Sequence, residues 1–273
     1  AKLLPAAYKG VKAKHPQVNV VGFGAGGASA GDLRFIANVH ALNDAVATSY
    51  DVLSTHPYVD PAPPEAFSVR GWGRYSIAAN LAAIRKTMNV GVTPRAAMAP
   101  VWYTEIGWPI SKADGGKFET KREDMVSPLL QAAYVCRLYA LAQRLGVERV
   151  HVMFATDTDN FNAGFFLPGG TWRPSALAVC NMIRLMPKPK LVEALSDGAD
   201  GVFAYRFESG DATNSPVVMA WRVSGESKLD VKIDAANATV TDMLGVDRQV
   251  APTNGSVTID VGPLPTYVSI TSK

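Results

Sequence analysis

Apolar positions along the first 186 residues switch repeatedly between two spacings. Residues 2–14 carry apolar side chains at helical intervals and end at His15-Pro16, where a proline disfavours continued helix. A short apolar run, 18–23, predicts a strand, and the small-residue stretch 24–31 a loop. Leu33, Ile36, Ala37, His40 and Ala41 predict a helix over 32–48. A strand over 51–58 follows, then a proline-rich loop and a helix over 73–88. The next strand leads into Glu105 and is followed by a long helix over 119–145. A last strand, 150–155, opens into Thr156-Asp157-Thr158-Asp159-Asn160, and a helix covers 174–186.

Four strand–helix units in series imply a parallel sheet covered by helices, and near-continuous apolar strands fit burial on both faces. The pattern changes after Pro187-Lys188-Pro189. Short runs at 202–207, 216–223, 229–233, 238–242, 256–261 and 266–270, separated by turn residues such as Asn254-Gly255, predict an all-β sandwich. The expected fold class is therefore α/β: half of a (β/α) TIM-type barrel over 1–187, followed by a β-sandwich domain over 188–273.

Composition narrows the function classes. A net charge of +3, from 27 basic and 24 acidic residues without a basic run, leaves no nucleic-acid footprint. No apolar stretch reaches the ~20 residues that span a bilayer, so no membrane partner is expected. Cys136 and Cys180 both fall in helical patterns and read as buried free thiols rather than a bridge. His15, His40 and His151 have no metal-ligand spacing, so neither a metal nor another cofactor is expected. The run Gly22-Phe-Gly-Ala-Gly-Gly27 lacks the full phosphate-binding fingerprint and reads as a loop. The chain opens at Ala1 in what already looks like a helix, which suggests a processed chain or a piece of a longer one.

The candidate chemistry lies at strand C-terminal ends, where functional residues gather in barrels and open α/β sheets. In Val101-Trp102-Tyr103-Thr104-Glu105-Ile106-Gly107-Trp108-Pro109-Ile110 an apolar strand ends in one carboxylate, with an aromatic ring three residues on. Sugar chemistry uses this pairing: a carboxylate for the anomeric carbon and a flat ring for the apolar face of a sugar. The competing reading is a buried strand ending in a solvated Glu. His56 and Tyr58 share a strand parity, so both are candidates to face the same mouth, with Tyr58 donating to Glu105. Phe154, Asp157 and Asp159 are candidate sugar contacts on the last strand and its loop.

These segments together resemble the C-terminal part of a clan A (β/α)8-barrel glycoside hydrolase. Tyr103-Thr104-Glu105-Ile106-Gly107-Trp108 is similar to that clan's strand-7 segment, His56-Pro57-Tyr58 to its strand-6 end, and Gly164 through Ala176 to the segment after strand 8. The sandwich, with Val240-Thr241-Asp242-Met243-Leu244-Gly245 and Pro265-Thr266-Tyr267-Val268-Ser269-Ile270, resembles the accessory domain of family 39 and its neighbours. The resemblance implies that the four strands are strands 5 to 8, that Glu105 is the nucleophile of a retaining β-glycosidase or endoglycanase, and that the partner is a β-linked glycan. Many relatives end strand 8 in a Trp beneath the reacting sugar, where this chain has Phe154.

The clan's acid/base sits in an Asn-Glu pair ending strand 4, and this sequence contains no Asn-Glu pair. A retaining mechanism needs two carboxyls about 5–5.5 Å apart. The expectation is thus either a missing N-terminal half barrel or self-association of a natural half barrel. The alternative is a non-catalytic half-barrel carbohydrate-binding or assembly protein. A secreted or periplasmic location suits the resemblance, but the sequence does not choose one.

Overall fold

The computed structural model describes residues 1–66, 76–89, 98–118, 125–158, 161–167, 169–210 and 215–270. The expected starts of the helices at 73 and 119, and candidate Asp159, lie outside the described residues. The described residues form two compact units: Ala1–Gly107 with Leu145–Met153, and Trp108–Arg144 with Phe154–Lys273. The boundary expected near Pro187 falls inside the second.

In the first unit, helix α1 (Leu3–Lys14) places Lys12 and Lys14 in its last turn, where cations suit the helix dipole. Lys12 Nζ also pairs with Asp51 Oδ2 at 2.8 Å, and the Tyr8 phenol donates to Asp51 Oδ1 at 3.2 Å. Strands β1 (Val21–Ala25), β2 (Val52–Thr55), β3 (Val101–Tyr103) and β4 (Arg149–Val150) form a parallel sheet in chain order. This is the expected half barrel.

Strand β1 starts later than its apolar run. The Val20 N–H is taken by the Asp51 side chain at 2.8 Å, so the ladder begins one residue on. It then runs into the glycines. Phe23 and Gly24 both have positive φ, 79° and 60°, and the register slips between Phe23 and Ala25. That backbone is strained for a phenylalanine. Its ring is fixed by stacking on His40 at 5.1 Å and by an edge contact to Tyr50 at 5.3 Å.

Helix α2 (Ala30–Leu42) starts at a capping box between Ser29 and Asp32. The single helix expected over 32–48 is broken at Asn43. Its extended backbone ends α2, and its side chain caps a short 3-10 helix, Asp44–Thr48. An Asn that can bond nearby backbone competes with helix continuation in this way. Helix α3 (Ile77–Asn89) completes the unit.

In the second unit, α4 (Pro128–Arg144) packs against α5 (Pro174–Leu185). Strands β5 (Lys190–Asp197), β6 (Val202–Glu208), β7 (Val217–Arg222), β8 (Ser227–Lys232), β9 (Ala238–Thr241), β10 (Asp247–Val250), β11 (Ser256–Val261) and β12 (Thr266–Ile270) follow. They form a six-stranded antiparallel sheet, order β10-β9-β12-β7-β6-β5, and a two-stranded sheet, β11-β8. Ala204, Val218, Val231, Val240, Ile259 and Val268 belong to the core cluster of this sandwich.

On the helical side, Arg137, fully buried, donates to Pro263 O at 3.1 Å, and Tyr267 lies against Cys136. The Gln143 amide takes Pro189 O at 2.9 Å and the Leu191 N–H at 3.0 Å. Cys136 is buried as expected, whereas Cys180 is exposed on α5, and both are free thiols. No described helix is long and apolar enough to cross a membrane.

Candidate active site

The first unit brings three of the predicted residues together. Glu105 stands two residues past the end of β3. The ladder holds its neighbours on both sides: Thr104 N–H donates to Thr55 O at 3.2 Å, and Met153 N–H donates to Ile106 O at 2.9 Å. Between these anchors the Glu105 side chain remains 40% exposed. His56 follows β2 directly, its N–H bonded to Ala25 O at 2.7 Å, and Tyr58 N–H turns back onto His56 O at 2.9 Å. This tight turn past the end of β2 carries both rings toward Glu105.

Both rings converge on one carboxylate oxygen. The Tyr58 phenol donates to Glu105 Oε2 at 3.3 Å, and His56 Nδ1 lies 3.4 Å from the same atom. Among the described residues, Oε1 has no partner. The Tyr58 oxygen also lies 3.0 Å from Met153 Sδ. On the far side of the imidazole, His56 Nε2 is 3.0 Å from Thr104 Oγ1, which in turn bonds Ser54 Oγ. Sequence reading passed over Ser54, Thr104 and Met153. The parity of Ser54 with His56, and the place of Thr104 beside Glu105, were the available signals. Met153 gave none.

The other predicted site residues belong to the second unit, and two of them are spent on packing. Trp108 is 1% exposed, edge-on to Tyr134 at 5.6 Å, and its carbonyl accepts from Gln131 Nε2 at 2.8 Å. The open sugar platform expected of Trp108 is therefore not available, because the chain turns inward at Trp108-Pro109-Ile110, all buried.

The Asp157 side chain is likewise fully buried, gripped by Arg173 through both oxygens and by the N–H groups of Lys117 and Gly164. Burial alone raises its carboxyl. The Arg173 hydrogen bonds, the two N–H groups and the Arg173 charge outweigh this and hold it below the usual carboxylate range. Phe154 is half-buried, edge-on to Phe161 at 6.5 Å. An exposed ring that was not singled out is Trp172, 50% exposed and edge-on to Phe166 at 5.9 Å. Among the described residues, no three His, Cys, Asp or Glu side chains gather as a metal site would require.

No family model matches the sequence, and no curated protein matches it. Solved structures do share the fold, and glycoside hydrolases are among them. A family 39 glycoside hydrolase from the gut symbiont Bacteroides cellulosilyticus WH2 is similar at 22% identity and a TM-score of 0.72, covering 98% of this chain and 54% of that one. A family 44 xyloglucanase from Paenibacillus polymyxa is similar at 9% identity and a TM-score of 0.61, covering 98% and 60%. A family 51 arabinofuranosidase from Xanthomonas axonopodis pv. citri is similar at 11% identity and a TM-score of 0.55, covering 99% and 62%. The likeness is one of fold: four parallel barrel strands and a β-sandwich. The chain spans little more than half to under two thirds of the length of these structures.

Proposed function

We propose that this chain carries the nucleophile half of a retaining β-glycosidase or endoglycanase, with Glu105 as the nucleophile. The observation that supports this reading is the division of labour between the two oxygens of Glu105. Tyr58 and His56 both address Oε2 and so fix the plane of the carboxylate, while Oε1 is left open. A carboxylate that attacks an anomeric carbon needs one oxygen held and the other free. The shared fold with glycoside hydrolases supports the same substrate class, a carbohydrate.

In this mechanism Glu105 Oε1 attacks the anomeric carbon and displaces the leaving group, giving a covalent glycosyl–enzyme. Water then releases the sugar. The leaving oxygen must receive a proton from a second carboxyl, which the retaining geometry places about 5–5.5 Å from the nucleophile. In this reading that acid/base is supplied from outside residues 1–273, by a further barrel segment or by an associated molecule.

The test is trapping with a 2-deoxy-2-fluoro glycoside in the complete active form. A mass increase of one sugar on the peptide carrying Glu105, lost in Glu105→Gln together with at least about a thousandfold in kcat, is the expected result. A Glu105→Gln enzyme that keeps more than a few per cent of kcat overturns the assignment.

A further inference from the structure

The hydroxyls behind His56 play no part in the Glu105 reading. His56 presents two different nitrogens to two different partners. Nδ1 faces Glu105 Oε2 at 3.4 Å, and an ionised carboxylate can only accept. The proton of a neutral imidazole therefore belongs on Nδ1. Nε2 is then a bare acceptor and needs a donor. Thr104 Oγ1 lies 3.0 Å away, and its oxygen bonds in turn to Ser54 Oγ. One arrangement suits every group: Ser54 O–H donates to Thr104 Oγ1, Thr104 O–H donates to His56 Nε2, and the imidazole proton sits on Nδ1, the nitrogen 3.4 Å from Glu105 Oε2. Ser54 is buried at 4% exposure, so few other partners compete for its proton.

We propose that Ser54 and Thr104 are positioning residues whose hydroxyl relay holds His56 in the Nδ1–H tautomer, aimed at Glu105. As a statement about catalysis this rests on the nucleophile role of Glu105; as a statement about the imidazole it stands alone. The backbone makes the relay stiff. Ser54 lies in β2, and Thr104 is tied to the same strand through its N–H bond to Thr55 O. The two hydroxyls thus meet across a ladder rather than across a loop, as a supporting shell for a functional side chain requires.

The experiment is ¹⁵N NMR of the imidazoles in the full chain, recorded at about pH 9, well above the ordinary histidine value of about 6.5. The chain has four histidines, so His56→Gln assigns the signals. The wild type is expected to show a protonated Nδ1 and a bare Nε2. Thr104→Val and Ser54→Ala are each expected to shift the tautomer ratio toward Nε2–H, by up to about tenfold for the loss of one hydrogen bond. Thr104→Ser, which keeps the hydroxyl, is expected to hold the wild-type ratio. A wild-type Nε2–H tautomer overturns the relay. So does a ratio unchanged in both hydroxyl-deleted variants, or a Thr104→Ser protein that behaves like Thr104→Val. None of these readouts needs glycosidase activity, so a complete active form whose Glu105→Gln variant keeps its kcat refutes the nucleophile reading, while the expected tautomer leaves the relay in place.

Discussion

Arg173 grips Asp157 through both carboxylate oxygens, NH1 to Oδ1 and NH2 to Oδ2, each at 2.6 Å, with the Asp157 side chain fully buried. Arg173 also reaches Gly164 O at 2.9 Å and Gly115 O at 2.8 Å, so one guanidinium ties together three loop segments. A paired, hydrogen-bonded buried charge becomes costly once its partner is gone. Asp157→Asn is expected to destabilise the protein by about 3–5 kcal/mol, measured by urea unfolding at pH 7.

The same pair sets an acid limit. The Asp157 carboxyl is depressed in the folded state. Its contribution is therefore complete above the unfolded carboxylate value of about 3.9 and is lost as pH falls through the lower, folded value. The gap between wild type and Asp157→Asn should stay constant from pH 7 to about 5 and shrink below pH 4. A gap that persists unchanged at pH 2 contradicts this account.

Tyr58 offers its proton to Glu105 and lies beside the Met153 sulfur. Tyr58→Phe removes the phenol and leaves the ring. The expected result is a fall of about ten- to a hundredfold in kcat/KM for the active form, with the folded state intact by circular dichroism. Met153→Leu removes the competing acceptor and should leave activity within about threefold, since a thioether is only a weak acceptor.

Thiol reactivity should separate the two cysteines. Burial pushes the Cys136 thiol up to about 12, whereas Cys180 is exposed. Titration with Ellman's reagent at pH 8 is expected to give one fast thiol in the native protein and two in guanidinium.

Gln143 clasps the main chain on both sides of Lys190, through Pro189 O and Leu191 N–H. The Lys190–Leu191 bond should therefore resist limited trypsin in the wild type. Gln143→Ala should cost about 1–3 kcal/mol and expose cleavage near Lys190, read by mass spectrometry.

Apolar spacing carried the half barrel and most of the sandwich, because buried strands must be apolar on the faces they bury. It missed β5 and β10 for the same reason. Both are edge strands of the large sheet; exposed Lys190, Glu193 and Asp197 are interleaved with exposed Val192 and Leu195 on β5, and Asp247 and Arg248 are exposed on β10. No alternation survives there to read. That His56, Tyr58 and Glu105 would gather was legible because each follows the end of a strand, a local property, although a turn rather than strand parity brings the two rings together. The burial of Trp108 was not legible because it depends on the direction the chain takes after Gly107, a tertiary choice. The pairing of Asp157 was not legible because its partner, Arg173, lies sixteen residues on across a loop. The role of Thr104 depends on Ser54 in a neighbouring strand, fifty residues away.

The contrast between those charged edges and β1 bears on handling. Among the described residues β1 pairs only with β2, and Val21-Gly22-Phe23-Gly24-Ala25 contains no charge. A strand edge of this kind invites pairing with other chains, while lysines and acids on an edge discourage it. A sample of residues 1–273 alone, with nothing laid along β1, carries a pairing edge of five neutral residues that overall charge does not guard. In such a sample one lysine in place of the exposed Val21 should lower aggregation, read by light scattering, and a further barrel strand seated on that edge should do the same.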